Sequence, residues 1–137
     1  MRKPTETAEF FIDIKQPEKA KIVLDLLKPH AKDVFGLNEL GDLYYTIKDF
    51  NSVIEIGLKI HDLIDDPNGK FDARNNIINA YIKLNKPEDA LKYIELNEQF
   101  DPKNHEVQMN KALAYFFLDD KAKGEKILRK ILEEHHS

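Results

Sequence analysis

The sequence predicts an all-α protein made of repeated helix pairs, and three observations support this prediction. Leu, Ile, Ala, Lys and Glu recur at three- and four-residue intervals along most of the chain, which is the spacing of one helix face. Beta-branched and aromatic residues never alternate for long enough to form the face of a strand. Similar phrases also return at intervals that suit one pair of helices.

Four repeats are located by an aromatic residue that ends a similar phrase in each. Phe11 stands 33 positions before Tyr44, which stands 37 before Tyr81, which in turn stands 34 before Tyr115. We therefore expect a single domain over residues 1–137, divided into repeats at about 1–33, 34–70, 71–104 and 105–137. The long second interval is attributed to "DDPNGK" at 65–70, interpreted as a turn that absorbs the extra residues.

Each repeat is predicted to hold two helices separated by a short break. In the third repeat the first helix has Ile77, Ile78, Tyr81 and Leu84 on one face, and "NKP" follows. The inner face of the second helix is expected to be Ala90, Leu91, Ile94 and Asn97. Pro87 suits the first turn of that helix, where a missing N–H costs nothing. The related phrase at Pro17 predicts the same start in the first repeat.

The spacing within these units resembles the tetratricopeptide repeat (TPR). The second repeat carries the first half of its pattern at Leu37, Leu40, Gly41 and Tyr44, and the third carries the second half at Ala90, Ile94 and Pro102. The resemblance implies a right-handed α-solenoid of antiparallel helix pairs. It also implies that the first helices line a concave groove, which holds an extended peptide or a helix of a partner protein.

Composition excludes several classes of function. The net charge of −4 gives no reason to bind nucleic acid, and the basic stretch at 121–130 is interpreted as the solvated face of a helix. No apolar run is long enough to cross a membrane, so no membrane partner is expected. Cysteine is absent, which agrees with a cytoplasmic protein.

No residues group in a way that requires catalysis. The five glycines are isolated, so no phosphate loop is present, and His30, His61 and His105 lack a carboxylate at a spacing that suggests a proton relay. Tyr44, Tyr81 and Tyr115 occupy equivalent repeat positions, which favours core packing. We therefore expect no enzyme activity, no cofactor and no metal site.

Binding residues are assigned from the groove positions of the resembled repeat. Asn side chains there could pair with the N–H and C=O groups of a bound backbone, although solvated polar residues are the alternative. Acidic residues favour a basic or amphipathic partner. The candidates are Asn38, Asp42, Tyr45, Asp72, Asn75, Asn79, Ile82, Met109, Leu113, Phe116 and Phe117.

The last four candidates follow helical spacing in the fourth repeat and are predicted to share an apolar stripe. Internal packing of some of them remains an alternative. An exposed stripe would bind a partner helix or a second copy of the chain, giving a homodimer through the C-terminal repeat. The sequence thus predicts a non-catalytic protein-interaction scaffold. The alternative is a regulatory or targeting segment of a larger enzyme or of a secretion-related protein.

Overall fold

The computed structural model describes residues 3–136, the last of them by its backbone alone. Within this range the chain forms eight α-helices, one short 3-10 helix at Lys28–His30, and no strand. This confirms the predicted all-α class. The helices are α1 Pro4–Asp13, α2 Pro17–Leu27, α3 Val34–Thr46, α4 Phe50–Leu63, α5 Pro67–Lys83, α6 Pro87–Phe100, α7 His105–Phe117 and α8 Lys121–His136.

The turn inside each helix pair has the same backbone geometry in all four pairs. One residue in each turn is left-handed, with φ between 56° and 64°, and these residues are Lys15, Lys48, Asn85 and Asp119. The amide that follows it bonds at 2.8–2.9 Å to the carbonyl of the aromatic residue that marks the repeat, which is Phe11, Tyr44, Tyr81 or Tyr115. This is the Schellman ending of a helix. The left-handed residues are therefore spaced by 33, 37 and 34 positions, as the repeats are.

Side chains and prolines fix the helix starts. Pro87 is the first residue of α6, as predicted. Asp66 caps α5 by accepting a hydrogen bond from the Gly69 amide at 3.2 Å. The prediction of a turn over 65–70 is therefore wrong from Pro67 onward, because the extra residues lengthen α5 at its N-terminus. An Asp-Pro pair suits a helix start as well as it suits a turn.

Two compact units divide the chain at Asp65, so the expectation of a single domain stays a prediction. In the N-terminal unit α1 packs on α2 and α3 packs on α4. Gly41 allows α3 and α4 to approach closely, since a Cβ there would lie 3.4 Å from Ile56 Cγ2. The buried core of this unit is Ala8, Ala20, Leu24, Leu37, Leu40, Tyr44, Val53, Ile54, Ile56 and Ile60.

In the C-terminal unit α5 pairs with α6, α7 pairs with α8, and α6 packs on α7. Ala90 and Ile94 are fully buried, as their positions in the repeat predict. They form one cluster with Ile78, Val107 and Ala114. This core leaves one face of α7 uncovered, and the candidate site lies on that face.

Candidate functional site

The first helix of the last pair carries a row of exposed apolar side chains. Met109, Leu113 and Phe117 are exposed over 50%, 45% and 46% of their surface. Their four-residue spacing places them on one face of α7. We call these three residues the α7 stripe. Large apolar side chains gathered on one surface are typical of a contact site for another molecule.

Phe116 does not lie with the α7 stripe, although the sequence grouped the four residues together. Its side chain is half-buried, and its ring packs over Gly124 of α8. A Cβ on Gly124 would come within 2.9–3.0 Å of three ring atoms. Phe116 therefore joins α7 to α8, and the missing side chain at Gly124 makes room for its ring.

The two candidate asparagines on α5 are half-buried and bonded within the protein. Asn75 Oδ1 accepts a hydrogen bond from Asn97 Nδ2 at 2.9 Å. Asn79 Oδ1 accepts one from Asn110 Nδ2 at 3.4 Å. Because both side-chain oxygens have internal partners, these residues meet a ligand mainly through the N–H groups of their amides.

Asn97 organises this part of α5 and is fully buried. Its Oδ1 accepts from Arg74 Nε at 2.6 Å, and its Nδ2 donates to the Phe71 carbonyl at 3.2 Å as well as to Asn75. Burial lowers the pKa of the Arg74 guanidinium. The sequence placed Asn97 on the inner face of α6 but did not predict these bonds. The available signal was a polar residue seven positions after Ala90, on an otherwise apolar face.

The remaining candidates of the C-terminal unit differ in exposure. Ile82 is half-buried and packs against the core cluster, so only part of its side chain is accessible. Asp72 and Glu106 are exposed, and in the described part of the chain neither forms a salt bridge. Their two negative charges therefore lie on the same two helices as the asparagines and the α7 stripe.

The candidates of the N-terminal unit lie on α3. Asn38 and Asp42 are exposed, and Tyr45 is exposed over 42% of its surface. The Tyr45 ring packs edge-on against Phe50 with centroids 5.3 Å apart, which limits the orientations of the ring. This surface offers an amide, a carboxylate and an aromatic face.

A polar cluster joins α2, α3 and α4. The buried Tyr44 hydroxyl donates to Asp25 Oδ1 at 2.6 Å, and Lys21 Nζ donates to Asp49 at 2.6 Å. Burial, followed by the bond to Asp25, raises the pKa of Tyr44. Burial alone would raise the pKa of Asp49, but hydrogen bonds from Lys21 and Ser52 hold it below its ordinary value.

Each charged group of this cluster has a partner, and Asp49 also caps α4. The raised pKa keeps the Tyr44 hydroxyl protonated near neutral pH, so it is suited to hold helices together rather than to accept a proton. Among the described residues, no group of His, Asp and Glu side chains is arranged to hold a metal ion. No described helix has the length and apolarity that crossing a membrane requires.

No protein-family model matches this chain, and no curated protein matches it either. Among solved structures, the chain is similar to a crystal structure described as the nearly identical TPR-like repeats of a kinesin light chain from Podosopora anserina. Sequence identity is 13%, the TM-score is 0.69, and the match covers 98% of this chain and 76% of the other. Likeness at this identity shows the fold alone, and that fold is the one the repeat pattern predicted.

Proposed function

We propose that this chain, whose fold is that of a TPR-like helical repeat, is a non-catalytic module that binds a protein or peptide segment on its first helices. The fold indicates protein interaction in general and is typically non-catalytic. The observation that carries the narrower proposal is the α7 stripe, three large apolar side chains about half exposed in one row. A cytoplasmic location is part of the proposal and is supported by the absence of cysteine.

The α7 stripe supplies only part of the binding free energy. Complete burial of one such side chain contributes roughly 1.5–3 kcal/mol, so covering three half-exposed ones contributes about 3 kcal/mol. A micromolar complex requires about 8 kcal/mol. The partner must therefore contact the polar groups beside the stripe as well.

Those polar groups define the chemistry of the partner. Asn75 and Asn79 offer N–H donors to its carbonyl groups, while Asp72 and Glu106 favour Lys or Arg side chains. Since the stripe extends over eight residues, it is about 12 Å long, or roughly two helical turns. An amphipathic segment with basic residues beside an apolar face meets these requirements.

Selection from a random peptide display library tests this proposal, because it requires no candidate partner. The immobilised full chain should enrich basic amphipathic peptides. The variant Leu113→Glu/Phe117→Glu should lose them, because two charges would interrupt the apolar row. Leu132→Glu is the matched control, since Leu132 is a 56% exposed apolar residue of the same unit on α8. Equal enrichment by both variants, or no enrichment of basic peptides by the wild type, would refute the proposal.

The α3 surface is tested separately. Tyr45→Ala removes the aromatic face that packs on Phe50 and should weaken binding of the selected peptides if α3 also contacts them. Unchanged affinity would confine the site to the C-terminal unit. Asn38→Ala and Asp42→Ala then divide the remaining contribution of α3 between an amide and a charge.

A second copy of the chain is the alternative occupant of the α7 stripe, because an apolar row can pack on its own copy. Light scattering on the wild type and on Phe117→Glu distinguishes the two occupants. A dimer that Phe117→Glu converts to a monomer would support self-association. A wild type that stays monomeric at high concentration would exclude it.

A further inference from the structure

A second surface of the C-terminal unit has the opposite charge preference. A cleft of about 580 Å³ lies among α7, α8 and the segment that joins α6 to α7. Five lysines line it, although the whole chain has a net charge of −4. They are Lys103, Lys111, Lys123, Lys126 and Lys130.

The acidic residues in the cleft are already paired. Glu98 accepts from Lys111 Nζ at 2.9 and 3.0 Å and from Gln108 at 2.7 Å. Burial alone would raise the pKa of Glu98, but these bonds hold it below its ordinary value. Glu134 lies 3.1 Å from His105 Nε2. Neither carboxylate is therefore left to neutralise the other lysines.

Three lysines of the cleft have no acidic partner. In residues 3–136, Lys103, Lys126 and Lys130 form no ion pair. Lys123 lies 5.2 Å above the Tyr115 ring and only at the limit of contact, 3.9 Å, with Asp120. The cleft thus presents uncompensated positive charge to solvent.

The wall between these charges is apolar. Tyr115, Ile127 and Ile131 line the cleft, and Pro102 closes one end. A volume near 580 Å³ lies within the usual range for ligand sites, roughly 300–1,000 Å³. An inorganic anion would leave this wall uncovered, whereas a peptide could cover it with a side chain.

We propose that this cleft binds an acidic peptide segment that places an apolar side chain against Tyr115 and Ile127. Its carboxylates pair with Lys103, Lys126 and Lys130. The α7 residues of the cleft are Gln108, Lys111 and Tyr115. At about 100° per residue they point away from the α7 stripe, on roughly the opposite face of the helix. The two surfaces can therefore bind different partners, and this proposal does not depend on the function proposed for the stripe.

Fluorescence anisotropy with defined peptides tests the cleft in the full chain. The probe is a labelled peptide with Glu residues around a central Phe-Leu pair, and its control has Gln in place of each Glu. The Glu peptide should bind about tenfold more tightly than the Gln peptide, and added salt should weaken it. Lys126→Glu/Lys130→Glu should reduce its affinity by about tenfold or more.

The matched control is Lys86→Glu/Lys92→Glu, which changes the net charge equally at two exposed lysines of the same unit that do not line the cleft. It should bind within about twofold of the wild type. Lys126→Gln/Lys130→Gln replaces the charge-reversal variant if circular dichroism shows that the latter is unfolded. Equal losses in the cleft and control variants would overturn the proposal, because attraction would then follow net charge alone. Absence of saturable binding, or stronger competition by single-stranded DNA than by the Glu peptide, would overturn it as well.

Discussion

Replacing Asn97 by Leu should destabilise the C-terminal unit more than any surface change on α6. The substitution roughly keeps the volume of the side chain but removes three hydrogen bonds within a fully buried site. Arg74 Nε, the Phe71 carbonyl and Asn75 Oδ1 each lose the partner that Asn97 provides. Asn75 also loses the bond that orients its amide toward the candidate surface.

The size of the effect follows from the kinds of bonds removed. A hydrogen bond to a charged group such as Arg74 contributes about 1.5–3 kcal/mol, and each neutral bond about 0.5–1.5 kcal/mol. The three bonds share one side chain, so the sum is an upper limit. Added apolar contact offsets a further part. We expect the free energy of unfolding to fall by about 3 kcal/mol.

Urea unfolding followed by circular dichroism measures this change. Gln99→Leu is the matched control, since Gln99 is an exposed amide on the same helix. The control should change the free energy of unfolding by less than about 0.5 kcal/mol. If Asn97→Leu were as stable as the wild type, the stabilising role of these hydrogen bonds would be refuted.

Three further predictions concern the helix ends and the turns. Lys48→Gly should stabilise the protein by about 1 kcal/mol in thermal unfolding, since φ is 64° there; a loss of stability would contradict this. Gly124→Ala should be more favourable by at least about 1 kcal/mol in a Phe116→Leu background, and a double-mutant cycle without coupling would show that the ring yields freely. The lowered pKa of Asp49 means that its stabilising contribution is present above its ordinary pKa near 4 and lost at lower pH. The stability difference between the wild type and Asp49→Asn should therefore shrink as pH falls below about 4, and a constant difference would disprove the assignment.

The helix pairs could be predicted because their determinants are local. Apolar spacing, Pro87 and the repeated aromatic position all act within a few residues of one another. The start of α5 was missed because Asp66 and Pro67 begin a helix and a turn equally well. Only the bond from Gly69 to Asp66 distinguishes the two.

The candidate surface could be predicted in part, since helical spacing placed Met109, Leu113 and Phe117 together. Phe116 separates from them because of its contact with Gly124 on another helix. Such a contact depends on how two helices pack, and spacing within one helix does not specify it.

The basic cleft was missed for a similar reason. The stretch at 121–130 has the mixed charge of a solvated helix face. Its positive character arises when Lys111 and His105 pair with the nearby carboxylates and when Lys103 approaches from the segment before α7. These pairings join residues that lie far apart in the sequence.

Chemical-shift mapping distinguishes a partner bound on the first helices from one bound elsewhere. Amide spectra of the full chain are recorded with a basic amphipathic peptide selected by the display experiment. The largest shifts should fall on exposed positions of α5 and α7, at Asn75, Asn79 and the α7 stripe. Shifts confined to α6 and α8, or shifts that persist unchanged in Leu113→Glu/Phe117→Glu, would contradict binding on the first helices.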